Sequence, residues 1–229
     1  MSPAHPHPDW KAVLFDLDGT LADTVPLILR CYRHMMLTHR GVESPDELWV
    51  RTIGRPLRSA IREFAHDDDE AARMLDTYIE LQREVHDDMV SPFPGAAATL
   101  DILRGRGIKL ALVTSKGREM TDRTLGKCDL ASRLDAVVTV HDVQKGKPDP
   151  EPVFTALQWL GVEPGPEVLF VGDSPHDLVA GRAAGVLTAA AVWGPFTRAE
   201  LEAEGPDHWL SELSDVLALR PATLGRSRG

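Results

Sequence analysis

The sequence predicts an α/β protein with a parallel sheet that is interrupted once by an all-α module. Three observations lead there. Short apolar runs alternate with segments of helical period, the pattern of repeated βα units. One stretch, residues 21–91, breaks the alternation and contains no convincing strand. Polar groups follow the apolar runs directly, where the carboxyl ends of parallel strands would collect them.

The first run, "AVLF" (Ala12–Phe15), suits a strand buried on both faces. Four more strands are expected at Ile108–Val113, Ala136–Val140, Val168–Val171 and Thr188–Val192. Helices are expected at Ala96–Arg104, Arg118–Gly126, Pro152–Leu160 and His176–Ala184. Gly107, Gly161 and Gly185 sit just past helical segments, where a left-handed C-cap needs glycine. In the interrupting stretch, Leu27, Ile28, Cys31 and Met35 recur at helical spacing, as do Leu57, Ala60, Ile61 and Phe64, and then Ala71, Leu75, Tyr78, Ile79 and Val85. Ser44-Pro45-Asp46-Glu47 reads as a capping box with proline at the first helical position. Asp67-Asp68-Asp69 reads as an acidic helix start, and Asp23 and Thr24 as caps of the first helix. "SPFPG" (Ser91–Gly95) is a hinge that returns the chain to the sheet.

Composition narrows the function. A net charge of −10 leaves no basic surplus for nucleic acid, and no basic run suits an anionic membrane surface. No apolar run reaches membrane-spanning length. Two cysteines, Cys31 and Cys128, without paired spacing fit a reducing cytoplasm and no structural zinc. The start "MSPAHPHPDWK" reads as a Pro-rich leader rather than a signal peptide, with His5 and His7 solvated.

The polar groups at the strand ends carry the chemistry. The first strand ends in Asp16-Leu17-Asp18, the second in Thr114-Ser115-Lys116, and the fourth in "GDSPHD" with Asp173 and Asp177; the third leads to "KGKPDP" with Lys145 and Lys147. Carboxylates gathered at one sheet edge repel one another unless a cation lies among them. Oxygen-only ligands with open positions suit Mg²⁺. Singly, each feature has a plainer explanation: a lone DxD is common in turns and caps, and Asp149 is placed to cap the next helix. Four such sets, in this order, are hard to obtain from caps alone.

"DLDGT" (Asp16–Thr20), "LVTS" (Leu112–Ser115), "GKPDP" (Gly146–Pro150) and "VGDSPHD" (Val171–Asp177) together resemble the haloacid dehalogenase-superfamily phosphatases. The resemblance spans nearly all of the chain, excluding the leader and the tail "LGRSRG". "TIGRPL" (Thr52–Leu57) and "AGRAAG" (Ala180–Gly185) resemble the phosphoglycolate phosphatases and a related bacterial pyrophosphatase. The resemblance implies a Rossmann-like core with a five-stranded parallel sheet, residues 1–20 and 92–229, and a small helical cap, residues 21–91.

It also implies roles. Asp16 would attack phosphorus and become an aspartyl-phosphate; Asp18 would protonate the leaving alkoxide and then take a proton from the hydrolytic water. Mg²⁺ would be held by Asp16, the backbone carbonyl of Asp18 and Asp173, with Asp177 supporting the metal's waters or the lysine. Thr114 and the Ser115 N–H would bind phosphate oxygens, and Lys147, rather than its rival Lys145, would balance the charge on Asp16. Arg55 is a candidate for an anionic substrate tail, whereas Lys116 and Arg118 read as a solvated helix start, His176 as a surface loop residue and Trp193 as packing at a core edge.

The expected activity is Mg²⁺-dependent hydrolysis of a small soluble phosphate monoester, phosphoglycolate-like, in the cytoplasm, by a monomer or homodimer. Inorganic pyrophosphate is the near alternative substrate. A sugar-phosphate mutase would use the same nucleophile but must shield the intermediate from water. A dehalogenase would have no use for Asp18, since halide needs no proton. A non-enzymatic binding module on this fold should have lost part of the site, yet all four motifs are intact.

Overall fold

The computed structural model describes residues 10–221. The tail "LGRSRG" and His5 and His7 of the leader lie outside the described residues.

Ala12–Phe15 forms β1, and every one of its residues is fully buried. It lies in the middle of a sheet with β4 (Lys109–Val113) on one side and β6 (Val168–Gly172) on the other. Outside β4 runs β5 (Ala136–Val138); outside β6 run β7 (Leu187–Ala191) and β8 (His208–Leu210). All neighbours are parallel, and Phe15 is level with Leu112 and Val171. The expected strands are present within a few residues, and the sheet gains a sixth, β8, at the edge. The third expected strand stops at Val138, because Val140–Asp142 turns into a 3₁₀ helix capped by Thr139.

Side chains alternate between two faces along each central strand. Val13, Phe15, Leu110, Leu112, Leu169 and Val171 join the core beneath α5 (Ala96–Gly105). Ala12, Leu14, Ala111, Val113, Val168 and Phe170 join the core beneath α7 (Glu151–Leu160) and α8 (Pro175–Ala183). α6 (Arg118–Lys127) follows β4, and α9 (Arg198–Glu202) precedes β8. The sheet is therefore covered on both faces, as its unbroken apolar strands require.

Between β1 and α5 the chain forms α1 (Val25–Arg40), α2 (Asp46–Val50), α3 (Leu57–Arg62) and α4 (Asp68–Met89). Their own core is aromatic: Tyr32 of α1 stacks on Trp49 of α2 at 4.7 Å, and Phe64 and Tyr78 lie 5.4 and 5.9 Å from Trp49. Asp67 caps α4 by accepting from the Glu70 N–H at 2.7 Å, as its position predicts. The capping box predicted at Ser44 does not form. Pro45 has ψ 136°, so α2 starts at Asp46 and Ser44 lies outside the N-cap position. The two connections to this helical module are not bare linkers either. Ala22–Asp23 (β2) pairs antiparallel with Ser91–Pro92 (β3), a ribbon too short to leave a periodic signal.

Candidate active site

The strands run outward from β1 in two directions, to β5 through β4 and to β8 through β6. The carboxyl ends of β1 and β6 therefore meet where the winding reverses, the place at which such sheets form a crevice. Asp16 follows β1, and its N–H bonds Val171 O at 2.9 Å. Asp173 follows β6, and both carboxylates are almost wholly buried.

Lys147 joins this pair from the loop before α7. Its Nζ donates to Asp16 Oδ1 (2.7 Å), Asp177 Oδ1 (2.6 Å) and Val113 O (3.2 Å), which uses all three ammonium protons. The side chain is 1% exposed. Lys145 lies outside the site: it is exposed, and its Nζ is 3.8 Å from Asp149. Asp149 is not the cap of α7, whose N-cap position is held by Pro150; from one residue earlier its carboxylate accepts from the Glu151 N–H at 3.0 Å.

Burial pushes the Asp16 carboxyl up to about 7; Lys147 pulls it down, and Asp177 and Asp18 push it up further. Burial, with Asp16 and Asp177 nearby, also holds Asp173 well above the usual carboxylate range. Burial lowers the Lys147 ammonium, but the two carboxylates outweigh it and hold the group above its ordinary value. The cluster thus has more negative charge than one lysine balances.

Asp173 Oδ1 accepts from Thr20 Oγ1 at 2.6 Å, while its Oδ2 is buried with no hydrogen-bond partner among the described residues. Gly19 and Gly194 stand so close that a Cβ on either would overlap this carboxylate. Asp16, Asp173 and Asp177 each bring one oxygen within 4.8 Å of the others. An orphaned oxygen, surplus charge and an all-oxygen donor set fit a hard divalent cation such as Mg²⁺. Asp177 is otherwise engaged: Oδ1 holds Lys147, and Oδ2 accepts from Ser174 N–H (3.1 Å) and Oγ (2.6 Å) to cap α8.

Leu17 turns fully into the core, so Asp16 and Asp18 share one side of the strand end. Asp18 Oδ1 accepts from Thr24 Oγ1 at 2.6 Å and from Lys116 Nζ. Both donors correct the sequence reading. Thr24 is the N-cap of α1 by position, but its hydroxyl is spent on Asp18 and makes no cap bond; Asp23 lies in β2. Lys116 is 7% exposed at its side chain, drawn inward by the ion pair rather than solvated. Arg118 does act structurally, bonding Val137 O (2.9 Å) and Asp142 (2.6 Å).

Thr114 and Ser115 are both buried at the end of β4. Thr114 Oγ1 accepts from the Lys116 N–H at 3.2 Å. Ser115 Oγ donates to Gly54 O at 2.6 Å and so ties the core to the turn between α2 and α3. Arg55 sits in that turn and borders the cavity, but its guanidinium is held by Glu63. His176 is in the first turn of α8, not a surface loop; it is half-buried against the same turn, 3.4 Å from Arg51 O. Trp193 packs against Phe93 at 6.2 Å and donates to Thr20 O at 3.1 Å, which steadies the loop that carries Thr20.

Gly54 has φ +92°, and a Cβ there would lie 2.6 Å from Ser174 Oγ. Gly54→Ala is expected to leave the sheet intact but to unseat the turn by about 1–2 kcal/mol, lowering kcat/KM roughly 5–30-fold. Steady-state kinetics beside a thermal melt checks this; unchanged kcat/KM would mean that the turn's seating is not needed for turnover.

Strand ends and helical module together enclose a cavity of about 900 Å³ that reaches Asp16 and Asp18. Sequence reasoning passed over Thr20, Lys116, Gly194, Tyr78 and Gln82 as site residues, although all touch the carboxylates or line this cavity.

The sequence profile of the haloacid dehalogenase-like hydrolases matches residues 13–191. A pyrophosphatase PpaX from Bacillus cereus is 37% identical over 209 residues, covering 91% of this chain and 95% of that protein. Among solved structures, one described as a haloacid dehalogenase-like hydrolase from Bacteroides fragilis aligns with a TM-score of 0.84 at 28% identity, over 91% of this chain and 100% of that one. Another, assigned as a phosphoglycolate phosphatase from Lactobacillus plantarum, aligns with a TM-score of 0.81 at 26% identity, over 92% and 99% of the two chains.

Proposed function

The chain belongs to the haloacid dehalogenase-like hydrolases, and from that premise we propose that it is a Mg²⁺-dependent phosphatase acting on a small soluble phosphate monoester, phosphoglycolate-like in size. The carrying observation is the buried Asp16–Lys147 ion pair beside the orphaned oxygen of Asp173, at the reversal of the sheet. Asp16 and Asp173, with the backbone carbonyl of Asp18, are the groups that would hold Mg²⁺, which when bound neutralises charge between the nucleophile and its anionic target.

The protein's own groups divide the work. A carboxylate oxygen of Asp16 forms a bond to phosphorus as the ester P–O bond breaks, and Asp18 passes its proton to the leaving oxygen. Water then attacks phosphorus, the bond to Asp16 breaks, and Asp18 receives the water's proton. Lys147 keeps the Asp16 carboxylate oriented by holding one oxygen. Lys116 and Thr24 do the same for Asp18. The Thr114 hydroxyl and the Ser115 N–H receive phosphoryl oxygens. Residues 21–91 act as a cap that excludes bulk water in the first step and admits it in the second.

Inorganic pyrophosphate is the second reading, favoured by the name of the relative from Bacillus cereus at 37% identity. Phosphate release from a panel of monoesters and pyrophosphate separates the two. EDTA is expected to abolish release and Mg²⁺ to restore it, with Ca²⁺ a poor substitute because its looser coordination misplaces nucleophile and phosphate. Full turnover in metal-free buffer would overturn the metal role of Asp173. No helix among the described residues is long and apolar enough to cross a membrane. With the acidic charge, this supports a small phosphorylated metabolite in the cytoplasm as the partner, rather than nucleic acid or membrane. The assembly proposed is a monomer or homodimer.

A further inference from the structure

One face of α4 turns Leu75, Tyr78, Ile79 and Gln82 toward the cavity. Two of these side chains are polar, one turn apart, and almost wholly buried: Tyr78 is 2% exposed and Gln82 is 5% exposed. Neither the Tyr78 hydroxyl nor the Gln82 amide has a hydrogen-bond partner among the described residues. The polar atoms of both side chains are open to the cavity rather than sealed in the core, so two polar groups without a protein partner on an otherwise largely apolar wall point to a ligand that takes up their hydrogen bonds. Asp18, the group placed at the leaving oxygen, lines the same cavity, so the wall lies on the side of the departing alcohol.

Both groups are neutral, and each both donates and accepts, which matches a hydroxyl and offers an anion no opposite charge. Four of the five lysines and arginines on the cavity lining are engaged: Arg55 with Glu63, Arg62 with Asp68, Arg83 with Glu119 and Lys116 with Asp18. Arg58 alone of the lining arginines and lysines has no carboxylate among the described residues, and it is exposed to solvent. Leu75, Ile79 and Met120 supply apolar wall between the polar groups. A carboxylate- or phosphate-bearing leaving group would meet neutral and apolar surface there, and a carbon chain with hydroxyls would be satisfied.

We propose that Tyr78 and Gln82 select the alcohol half of the substrate, and that this alcohol is uncharged and hydroxylated, with a carbon chain longer than glycolate. This inference rests on the phosphate-monoester reading above, keeps its chemistry and replaces the phosphoglycolate-like size with a longer, hydroxylated chain.

The test is calorimetric titration of Asp16→Asn protein, which cannot turn over, with xylitol 5-phosphate, phosphoglycolate, pyrophosphate and inorganic phosphate in Mg²⁺ buffer. Xylitol 5-phosphate is expected to bind tightest. Gln82→Leu and Tyr78→Phe, each added to Asp16→Asn, are expected to weaken it about tenfold while shifting inorganic phosphate less than about twofold, the loss of one hydrogen bond each. Unchanged xylitol 5-phosphate affinity in both variants overturns the proposal, as does an equal loss for inorganic phosphate or tighter binding of phosphoglycolate or pyrophosphate. Tyr78→Phe keeps the test decisive if Gln82→Leu folds poorly. Phosphate release by the wild-type protein is measured separately: no release from any compound overturns the phosphatase reading, and the binding comparison is still read on its own.

Discussion

Asp16→Asn should lower kcat by more than about 10⁴-fold while the protein stays folded, since the amide is nearly isosteric but is no nucleophile. The position explains why no neighbour should replace it. Asp16 is held at the end of β1 by a backbone bond to Val171 and at its carboxylate by Lys147. Asp173 Oδ1 is taken by Thr20, and both oxygens of Asp177 are taken by Lys147 and Ser174. Asp18 is bound to Thr24 and Lys116. Acid quenching of the wild-type protein during turnover should trap phosphate on Asp16, and mass spectrometry of the variant should show none and exclude deamidation. Near-wild-type turnover by intact Asp16→Asn would identify another attacking group.

Lys147→Met should have the largest effect on stability. It removes the one ammonium from a site holding Asp16 and Asp177 at 2.7 and 2.6 Å, with Asp173 beside them. Breaking a buried pair from one side leaves uncompensated charge, which costs about 3–5 kcal/mol. The loss should depend on pH, and its sign follows from Asp16. That carboxyl is raised from 3.8 to about 7, so the stability associated with its protonated form is fully present below pH 3.8 and is lost as pH rises through 7. Without the ammonium Asp16 is held higher still, so the variant should lose less stability relative to wild type at pH 5 than at pH 8 in metal-free buffer. Mg²⁺ should recover part of the difference at pH 8. Denaturant melts at both pH values, with and without Mg²⁺, check this. An equal loss at pH 5 and pH 8 would mean that Lys147 stabilises through packing of its stem and not through charge.

Ala12–Phe15, Val168–Val171 and the helices after them were legible from sequence because their signals are local. An unbroken apolar run, an apolar stripe at helical spacing and a glycine beyond a helix end each report on neighbours a few residues away. Gly107, Gly161 and Gly185 accordingly take positive φ where the sequence predicts it. The four polar sets were also legible, because each follows a buried strand and strand ends converge in a parallel sheet. β8 was not legible: three residues at a sheet edge, only Leu210 fully buried, leave too short a pattern. α9 had a signal that was overlooked, the Thr197–Glu200 capping box.

The sequence by itself thus determined the α/β class, the interruption by helices and which carboxylates stand at strand ends. Only the tertiary structure decided how those groups are partnered. Thr20 reaches Asp173 across 153 residues, Lys147 reaches Asp16 across 131, and Lys116 reaches Asp18 across 98. Nothing in the local pattern around Lys116 distinguishes a solvated lysine from a buried one. The distinction arises because β4 lies beside β1, which brings a carboxylate within reach of its ammonium. Tyr78 and Gln82 illustrate the same limit. On α4 they fall on the stripe that packs a helix, and only the packing of that helix above the strand ends turns two core positions into a polar wall of the cavity.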